Sequence, residues 1–341
     1  QTKFMVDISI VIVNYKSWND LKDCLQSINT INSSKFTLET IVVDNQSNDG
    51  RLEEFKTLFP SILFIENSGN NGFANGCNLG ASNAKGNYLF FLNPDTIINK
   101  DAVLKLWKTT YKNPDYGIVS CLQTDESNNK YNEIRFFPKI TTLFGLSRVL
   151  YRIVNYFSLR KKFNFHKDKV FPDWVTGATI FMSRDWFNTV NGWTEKYWLY
   201  FEDVDLCKKI QEKNGKICLI RTANIFHKHG GATRINIITK ALTKTEVLIS
   251  KHVFVSEHKS GLNKHLIQSL LILSLLFEKC LLAITGVVFF FIPKLKVNIF
   301  IFKNLINYYR NAISKKTWTS PRSVKYLQKQ DVNLKKKLTF E

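Results

Sequence analysis

Short apolar runs alternate with segments of helical periodicity through the first 120 residues of the chain. Four runs have the length and the β-branched or aromatic content of buried strands: Ile8–Val13, Glu39–Val43, Ile62–Ile65 and Tyr88–Leu92. Between and after them, apolar side chains spaced along one helical face predict helices at Ser17–Ile28, Phe73–Ala84 and Lys100–Lys112. This alternation predicts an α/β fold with a mostly parallel central sheet flanked by helices.

The pattern weakens between Gln123 and Asp173, where Asn-rich turns are followed by aromatic and basic residues. A mobile insertion or lid is predicted there. Regular elements resume after it, and they comprise strands at Thr179–Met182, Lys216–Ile220 and Asn224–Phe226, a short helix closed near Asn191-Gly192, and a helix at Val204–Lys213.

A long apolar run near the C-terminus, Leu266–Ile292, is interrupted by Glu278-Lys279. Its length could span a bilayer, but a charge near the centre of a spanning helix costs about 2.5–3.5 kcal/mol, so the adjacent charges predict a break unless they pair. Helices lying on the membrane surface are favoured, while a spanning helix or hairpin and a soluble core or dimer helix stay open. Lysine and aromatic residues follow the run, and residues 264–316 are predicted to contact a membrane.

The 341-residue chain has a net charge of +20, and its 44% of hydrophobic residues exclude a disordered chain. Residues 240–341 hold 18 Lys and Arg against 5 Asp and Glu, so the basic character belongs mainly to the C-terminal region. Such a region suits an anionic membrane or nucleic acid. Because its apolar residues favour the membrane, no nucleic-acid partner is predicted.

The six cysteines are scattered and form no Cys-x-x-Cys pair, which indicates free thiols in a reducing compartment. The run Ile8–Val13 is too short for a signal peptide and lacks a basic flank and a small-residue cleavage site. We therefore expect a cytoplasmic protein that is peripheral to, or anchored on, the inner face of the cell membrane. A homo-oligomer stays open.

Polar segments follow two of the predicted strands. Asp44 begins the turn Asp44–Gly50, which could hydrogen-bond a nucleobase or ribose, or form an Asx turn that caps its own backbone. The segment Asn67–Asn78 contains glycines that allow close approach of a ligand, and the helix that follows offers free N–H groups to phosphate. A flexible surface turn is the alternative for this segment.

Acidic residues and histidines supply the candidate chemistry. Asp95, in an Asn-Pro-Asp sequence, follows the fourth strand at the sheet edge where ligands of open α/β sheets bind, so it either holds a metal-diphosphate group or caps the next helix. Glu202 and Asp203 either accept a proton from a hydroxyl or stabilise a helix N-terminus. His227 and His229 either contact metal or phosphate, or are surface or structural residues.

Taken in order, these segments resemble the inverting glycosyltransferases of family 2, particularly the bacterial rhamnosyltransferase-like branch. The resemblance covers about residues 7–260 and rests on six segments: Ile10–Tyr15, Val42–Gly50, Asn70–Asn78, Phe91–Asp95, Trp174–Ala178 and Tyr200–Asp205. Asn93 stands where many members of the wider family have a first metal-binding Asp, but the rhamnosyltransferase-like branch also has Asn-Pro-Asp.

The resemblance implies a GT-A fold in residues 1–238, with a nucleotide-binding half at 1–120 and an acceptor-binding half at 121–238. A basic, hydrophobic helical region follows at 239–341. Residues implied to bind the donor are Asn14, Asp44, Asn71, Gly72, Asn78, Asn93, Asp95, Trp174, Gly177 and Ala178. A divalent metal, Mn²⁺ or Mg²⁺, is implied at Asp95 with His227 or His229, and the implied catalytic residues are Asp203, as general base, and Glu202.

The expected function is metal-dependent, inverting transfer of a sugar from a dTDP- or UDP-sugar to a hydroxyl of a glycan or lipid-linked acceptor in cell-surface polysaccharide synthesis. Rhamnose from dTDP-rhamnose is the nearest analogy. A sugar nucleotidyltransferase is the rival enzyme, but it would need a Gly-rich basic loop where Asn14–Trp18 stands. A catalytically inactive scaffold that binds nucleotide or membrane is the remaining alternative.

Overall fold

The computed structural model describes residues 6–125, 135–139, 143, 145–155, 167–228 and 236–330. The chain divides into two compact units. The first comprises Gln1–Phe137, Phe157–Thr194 and Glu202–Ala232, and the second comprises Pro138–Tyr156, Glu195–Phe201 and Thr233–Glu341. The second unit therefore takes two internal segments, and also residues 233–238, from the 1–238 region that the sequence assigns to one domain.

The first unit is built on a mixed sheet that has nine strands in the described part of the chain. The strands are β1 (Ile8–Asn14), β2 (Leu38–Asp44), β3 (Leu63–Glu66), β4 (Tyr88–Leu92), β5 (Thr96–Ile97), β6 (Tyr116–Thr124), β7 (Lys169–Val170), β8 (Thr179–Ser183) and β9 (Lys216–His227). The helices of this unit are α1 (Trp18–Asn29), α2 (Arg51–Leu58), α3 (Phe73–Asn83), α4 (Lys100–Lys112), α6 (Arg184–Thr189) and α7 (Glu202–Glu212).

The order of the strands is β3-β2-β1-β4-β8-β6-β9-β5, and β7 pairs with β9. The first four strands are parallel, β8 runs antiparallel to both β4 and β6, and β9 is parallel to β6. The carboxyl ends of β1, β2, β4, β6 and β9 therefore lie at one edge, together with the start of β8. This is the edge where ligands of open α/β sheets bind.

Both faces of the sheet are covered, as the near-continuous apolar strands predict. Alternate residues of β1 enter two different cores because side chains of a strand point to opposite faces. Ile8, Ile10 and Ile12 join one core with side chains of α1, α2 and α4, whereas Val11 and Val13 join the other with side chains of α3 and α7. The α/β fold with helices on both sides of the sheet is confirmed.

Some elements differ from the sequence prediction. The structure adds α2, β5, β6 and β7, which the sequence left without an element. The two strands predicted at 216–220 and 224–226 are one strand, β9, because a register shift opposite Cys121/Leu122 absorbs the residues between them. About half of the insertion predicted near 123–173 lies outside the described residues. Its described part includes one helix, α5 (Gly145–Val154), in the second unit.

The second unit contains three long helices, α8 (Ile237–His258), α9 (Gly261–Val288) and α10 (Pro293–Ser314). Buried polar pairs connect them. His252 Nδ1 lies 2.5 Å from Gln268 Oε1, and His252 Nε2 lies 3.0 Å from the Tyr309 hydroxyl, so one histidine on α8 contacts both α9 and α10. Burial lowers the pKa of His252 to about 4, which keeps the imidazole neutral at physiological pH.

Helix α9 crosses the Glu278-Lys279 position without the break that the sequence predicted as one option. Lys279 Nζ lies 2.6 Å from Glu278 Oε1, so the two charges pair with each other and the helix continues. Among the described residues, α9 is the one helix long and apolar enough to cross a membrane, a test that a buried core helix also passes. Only 22% of its apolar window is buried in this protein, however.

Candidate active site

Residues from five strands meet at the carboxyl edge of the sheet in the first unit. Asn14 ends β1, Asp44 ends β2, Asp95 follows β4, Gln123 lies near the end of β6 and His227 ends β9. The short strand β5 closes this region, because Thr96 pairs with His227 across an antiparallel ladder. The fold therefore brings Asp95 to His227, 132 positions away in sequence.

Asp95, His227, Gln123 and Thr176 form a chain of polar contacts along this edge. Asp95 Oδ1 lies 3.1 Å from His227 Nε2, and His227 Nδ1 lies 2.9 Å from Gln123 Oε1. Gln123 Nε2 donates to Thr176 Oγ1 at 2.8 Å. The side chains of Asp95 and His227 are 13% and 6% exposed, so the pair is largely shielded from solvent.

Asp203 lies in the first turn of α7 and contacts the Thr176-Gly177 segment through Gly177. The Gly177 N–H donates to Asp203 Oδ2 at 3.0 Å, and the Val204 N–H donates to Oδ1 at 2.8 Å. Burial raises the pKa of Asp203, while these two N–H groups and the charge of Arg135 oppose that increase. Asp203 is therefore a partly buried carboxyl group with several contacts that favour its anionic form.

Glu202 is buried differently from its neighbour. Its Oε2 has no hydrogen-bond partner in the described part of the chain, and the side chain is almost fully enclosed. Burial, and then the charge of Asp203, raise the pKa of Glu202 well above the ordinary glutamate value. We assign the proton of this pair to Glu202 and the negative charge to Asp203, because both oxygens of Asp203 accept from N–H donors, whereas Glu202 Oε2 has no partner among the described residues.

Asp44 and Asn78, two of the residues expected to bind the donor, are engaged in bonds within the protein. Asp44 accepts from Asn14 Nδ2 at 2.9 Å and from the Ser47 N–H and hydroxyl at 2.8 and 2.6 Å, which is the Asx-turn alternative. Asn78 exchanges two hydrogen bonds of 2.9 Å with the backbone of Trp193. Their side chains hold loops in place at the site.

The asparagine-rich segment before α3 is also internally bonded. Asn71 Nδ2 donates to Asn67 Oδ1 at 3.2 Å, and Asn67 donates to Asn45 and Asn75 at 2.9 and 2.8 Å. Gly72 is the N-cap of α3 and has a φ of +94°, in the region that favours glycine. This network fixes the loop so that the first N–H groups of α3 follow a preorganised turn.

The segment Trp174–Ala178, which includes three residues expected to bind the donor, connects the two acidic positions. The Asn93 N–H donates to the Ala178 carbonyl at 3.1 Å, and the Gly177 N–H contacts Asp203. Trp174 Nε1 donates to the Phe136 carbonyl at 3.0 Å, which fixes the indole ring. The segment therefore ties the strand end before Asp95 to the base position. His229, the second candidate histidine, lies outside the described residues.

Comparison with known proteins identifies the architecture around these residues. The sequence model of glycosyl transferase family 2 matches residues 9–185, just over half of the chain. The chain belongs to glycosyltransferase family 2. A model described as the N-terminal domain of galactosyltransferase matches residues 160–229 of this glycosyltransferase.

Relatives of this glycosyltransferase include a low-salt glycan biosynthesis hexosyltransferase, Agl10, of Haloferax volcanii, 26% identical over 67% of this chain and 69% of that protein. The rhamnosyltransferase WbbL of Escherichia coli K12 is 23% identical over 64% of this chain and 83% of its own length. An N-acetylglucosaminyl-diphospho-decaprenol L-rhamnosyltransferase of Mycobacterium tuberculosis is 20% identical over 75% of this chain and 87% of its own length. The resemblance to the rhamnosyltransferase-like branch is confirmed.

Among solved structures, GalNAc-T7 with UDP, GalNAc and Mn²⁺ matches this glycosyltransferase with a TM-score of 0.51 at 15% identity. The match covers 66% of this chain, but the chain spans only 43% of that protein. It supports the GT-A fold and gives no residue roles.

The Asp95–His227 pair of this glycosyltransferase suits a divalent cation. A carboxylate oxygen and an imidazole nitrogen 3.1 Å apart offer two ligands on one side of the site. The described residues contain no group of three or more His, Cys, Asp and Glu side chains placed to hold a metal. Two protein ligands nevertheless fit Mg²⁺ or Mn²⁺, because these ions commonly take their remaining ligands from phosphate oxygens and water.

Two residues at the site were missed from the sequence. Gln123 is near the end of β6, a strand that the sequence pattern did not predict. Nothing in the sequence therefore indicated that Gln123 lies beside His227. Arg135 stacks on Trp174, with its guanidinium carbon 4.6 Å from the ring centroid, and burial lowers the pKa of Arg135. The feature of the sequence that could have indicated Arg135 is a basic residue next to aromatic residues.

Replacing Glu202 with Gln should remove a pH-dependent loss of stability. The raised folded-state pKa of Glu202 means that the folded protein holds this proton while the unfolded chain releases it above the ordinary glutamate pKa of 4.5. The contribution of this carboxyl group to the free energy of unfolding is therefore complete below pH 4.5 and is lost as the pH rises toward the folded-state pKa of Glu202. Glu202→Gln should therefore gain free energy of unfolding over the native protein by up to about 1.4 kcal/mol per pH unit in that interval.

Urea unfolding at a series of pH values measures this difference. Glu212→Gln, at the exposed end of the same helix, is the control for loss of one carboxylate. A difference between native protein and Glu202→Gln that does not change with pH would contradict the assignment of the proton to Glu202.

Proposed function

We propose that this protein is a metal-dependent inverting glycosyltransferase that moves a sugar from a nucleoside-diphosphate donor to a hydroxyl of a glycan or lipid-linked acceptor. The observation that carries the proposal is the pairing of two separate acidic positions at one sheet edge. Asp95 with His227 offers a cation-binding pair, and Asp203 offers a carboxylate held by N–H donors. The Thr176-Gly177 segment connects these two positions, because Gly177 contacts Asp203 and Thr176 contacts Gln123, which in turn contacts His227.

In the proposed reaction, Asp203 accepts the proton of the acceptor hydroxyl as the oxygen attacks the anomeric carbon. The new glycosidic bond forms on the face opposite the bond that breaks, and the electron pair of the broken bond leaves on the diphosphate. Positioning and proton transfer account for such a step without an enzyme nucleophile. The Gly177 and Val204 N–H groups hold the two oxygens of Asp203, so its orientation is set before substrate binds.

Asp95 and His227 would hold the divalent cation of the donor complex. When bound, such a cation neutralises the negative charge that builds on the departing diphosphate. Asn93 would add only a neutral oxygen, so the site would have one acidic ligand. His229 stays an alternative or additional ligand.

The relatives favour a deoxysugar donor, because two of those named above are rhamnosyltransferases. We propose a dTDP- or UDP-sugar, with dTDP-rhamnose first, bound by the 1–120 half through the turn after Asp44 and the N-terminus of α3. Since the carboxylate of Asp44 is bonded internally, its role would be to shape the turn that meets the base. Residues 121–238 would bind the acceptor in cell-surface polysaccharide synthesis.

A lipid-linked acceptor would place the enzyme at the inner face of the cell membrane. The surface of α9 supports this: apolar side chains recur along one exposed face, at Leu266, Leu270, Leu273, Phe277, Leu281 and Ile284. At the end of the helix, Phe290 and Phe291 are 64% and 68% exposed, and exposed lysines follow at 294 and 296. Apolar side chains beside lysines suit an anionic membrane surface.

Asp203→Asn should lower transfer by roughly 10²–10⁴-fold, since an amide cannot accept the proton, while leaving donor binding intact. Turnover of a panel of nucleotide sugars, with dTDP-rhamnose first, is the measurement. In the native protein, transfer should decline with falling pH at a higher pH than for an ordinary aspartate, because burial raises the pKa of Asp203. Asp101→Asn, which changes an exposed carboxylate on α4, is the matched control and should retain transfer. Near-native turnover in Asp203→Asn would exclude Asp203 as the base.

Asp95→Ala should abolish the dependence of donor binding on Mn²⁺, because it removes the one acidic ligand of the proposed cation. Calorimetric titration with dTDP, with and without Mn²⁺, measures this. Asp101→Ala removes an exposed carboxylate on α4 and should leave the dependence unchanged. If Asp95→Ala bound dTDP with the native Mn²⁺ dependence, the metal assignment would be wrong.

The double variant Phe290→Ser/Phe291→Ser should bind anionic vesicles at least about tenfold more weakly, because two exposed aromatic side chains would no longer enter the membrane. Sedimentation with phosphatidylglycerol-containing vesicles at fixed salt gives the affinity. Leu58→Ser removes an exposed apolar side chain from the first unit and serves as the control. Unchanged binding in the double variant would count against the turn that follows α9 as part of the membrane surface.

A further inference from the structure

Arg135 places a positive charge close to the candidate base. Its guanidinium carbon lies 4.6 Å from the centroid of the Trp174 ring, and Trp174 belongs to the same short segment as Gly177, whose N–H donates to Asp203. Burial lowers the pKa of Arg135, and the negative charge of Asp203 opposes that decrease. The two charged groups therefore interact through space at one end of the site.

Three hydrogen bonds fix the segment that carries Arg135. The Asp173 N–H donates to the Arg135 carbonyl at 2.9 Å, and the Phe137 N–H donates to Asp173 Oδ2 at 2.9 Å. Trp174 Nε1 donates to the Phe136 carbonyl at 3.0 Å. The guanidinium and the ring that it covers are thus held by the same two short segments, so Arg135 is in place before a ligand binds.

The N–H groups of this guanidinium are unused within the described part of the chain. Arginine has five such donors, and those of Arg135 have no hydrogen-bond or ion-pair partner among the described residues. By contrast, Arg184 in the same unit donates to the carbonyls of Ala81, Ala84 and Gly86. Contact with an aromatic face leaves the edges of a guanidinium available, so Arg135 suits an anion that accepts two hydrogen bonds.

The position of Arg135 indicates which substrate would bring that anion. In an inverting displacement, the attacking hydroxyl and the leaving group are on opposite faces of the donor sugar. Asp203 would accept the proton of the attacking hydroxyl, whereas Asp95 and His227 would hold the donor diphosphate. A cation close to Asp203 therefore faces the acceptor.

We propose that Arg135 binds a phosphate group of the acceptor, attached to the same sugar as the hydroxyl that attacks. A guanidinium fork matches pairs of phosphate oxygens, and a phosphate monoester carries more negative charge than a carboxylate. A sugar joined to a lipid through diphosphate has this chemistry, and so has a sugar phosphodiester within a glycan. The inference rests on the proposed function for the place of the acceptor, but phosphate binding is measured without transfer.

The first experiment titrates the full-length protein with the 1-phosphates and the methyl glycosides of glucose, galactose, N-acetylglucosamine and N-acetylgalactosamine. A chelator in the buffer prevents binding through a divalent cation, and calorimetry gives the affinities. At least one 1-phosphate should bind roughly tenfold or more tightly than its methyl glycoside, as expected for hydrogen bonds between charged groups. No preference for phosphate in any pair, or tighter binding of methyl glucuronide than of every 1-phosphate, would overturn the proposal.

Variants then test whether Arg135 causes the preference. Arg135→Gln should lower the affinity for the 1-phosphate to that for the methyl glycoside, and should leave the affinity for the glycoside unchanged. Arg310→Gln removes an exposed arginine from α10 and should keep the native preference. A merely structural role would weaken both ligands of a pair alike, so a native ratio of the two affinities in Arg135→Gln would overturn the proposal.

Arg135→Lys keeps the positive charge but loses the fork, so the preference should decrease only in part. If Arg135→Gln does not fold, the native titration and Arg135→Lys still decide, and a native ratio in Arg135→Lys would then contradict the proposal.

A further pair of probes separates the two sources of phosphate. The octyl diphosphate of the preferred sugar represents a lipid-linked acceptor, and its methyl phosphodiester represents a phosphate within a glycan. Tighter binding of either probe than of the methyl glycoside supports the proposal, and the tighter of the two identifies the source. If neither binds more tightly than the methyl glycoside, the proposal is wrong.

Titration with dTDP and Mn²⁺ tests the assignment to the acceptor. Arg135→Gln should bind dTDP with native affinity, and a weakened affinity would place the guanidinium at the donor diphosphate and overturn the proposal. Phosphate binding through Arg135 in a protein that transfers no sugar would refute the transferase proposal alone. An active transferase without a phosphate preference would refute only the role of Arg135.

Discussion

Strand β8 is the element on which the candidate site depends, because it hydrogen-bonds to β4 on one side and to β6 on the other. Phe181, at its centre, is the register partner of both Phe90 and Val119. Since β8 is antiparallel to both neighbours, its first residues lie at the carboxyl ends of theirs. The turn before it therefore contacts Asn93 on one side and Gln123 on the other, and no long loop has to bring them together.

Burial at this edge gives similar groups different tasks. Glu202 is buried and the adjacent Asp203 is partly buried. Both oxygens of Asp203 receive N–H donors that offset the cost of burying a charge, whereas Glu202 Oε2 receives none among the described residues. A buried, unpaired carboxylate is costly, so Glu202 is best accommodated as the neutral acid. The neutral neighbour in turn avoids a second negative charge beside the base. The different surroundings of the two carboxyl groups, more than their residue types, make Asp203 the charged base and Glu202 the neutral acid.

The sequence predicted the acidic positions because each has a local signal. Asp95 follows an apolar strand, and Asp203 begins a helix behind a recognisable acidic motif. What it could not predict were contacts that depend on strand order, such as Gln123 between β8 and β9, since order follows from packing of the whole sheet. It also could not decide between ligand contact and internal bonding for Asp44 and Asn78, because a polar side chain in a turn suits both.

The second unit reverses the arrangement usual for a water-soluble helix, and this bears on what its surface meets. The polar side chains of His252 and Gln268 are buried between helices, whereas Leu273 and Phe277 of α9 are 67% and 70% exposed. The buried polar contacts give these helices specific partners without using the apolar face. An apolar face left outward is unfavourable in water, so a surface that takes it up would stabilise the unit. A bilayer with anionic headgroups offers both apolar contact and attraction for the lysines that follow.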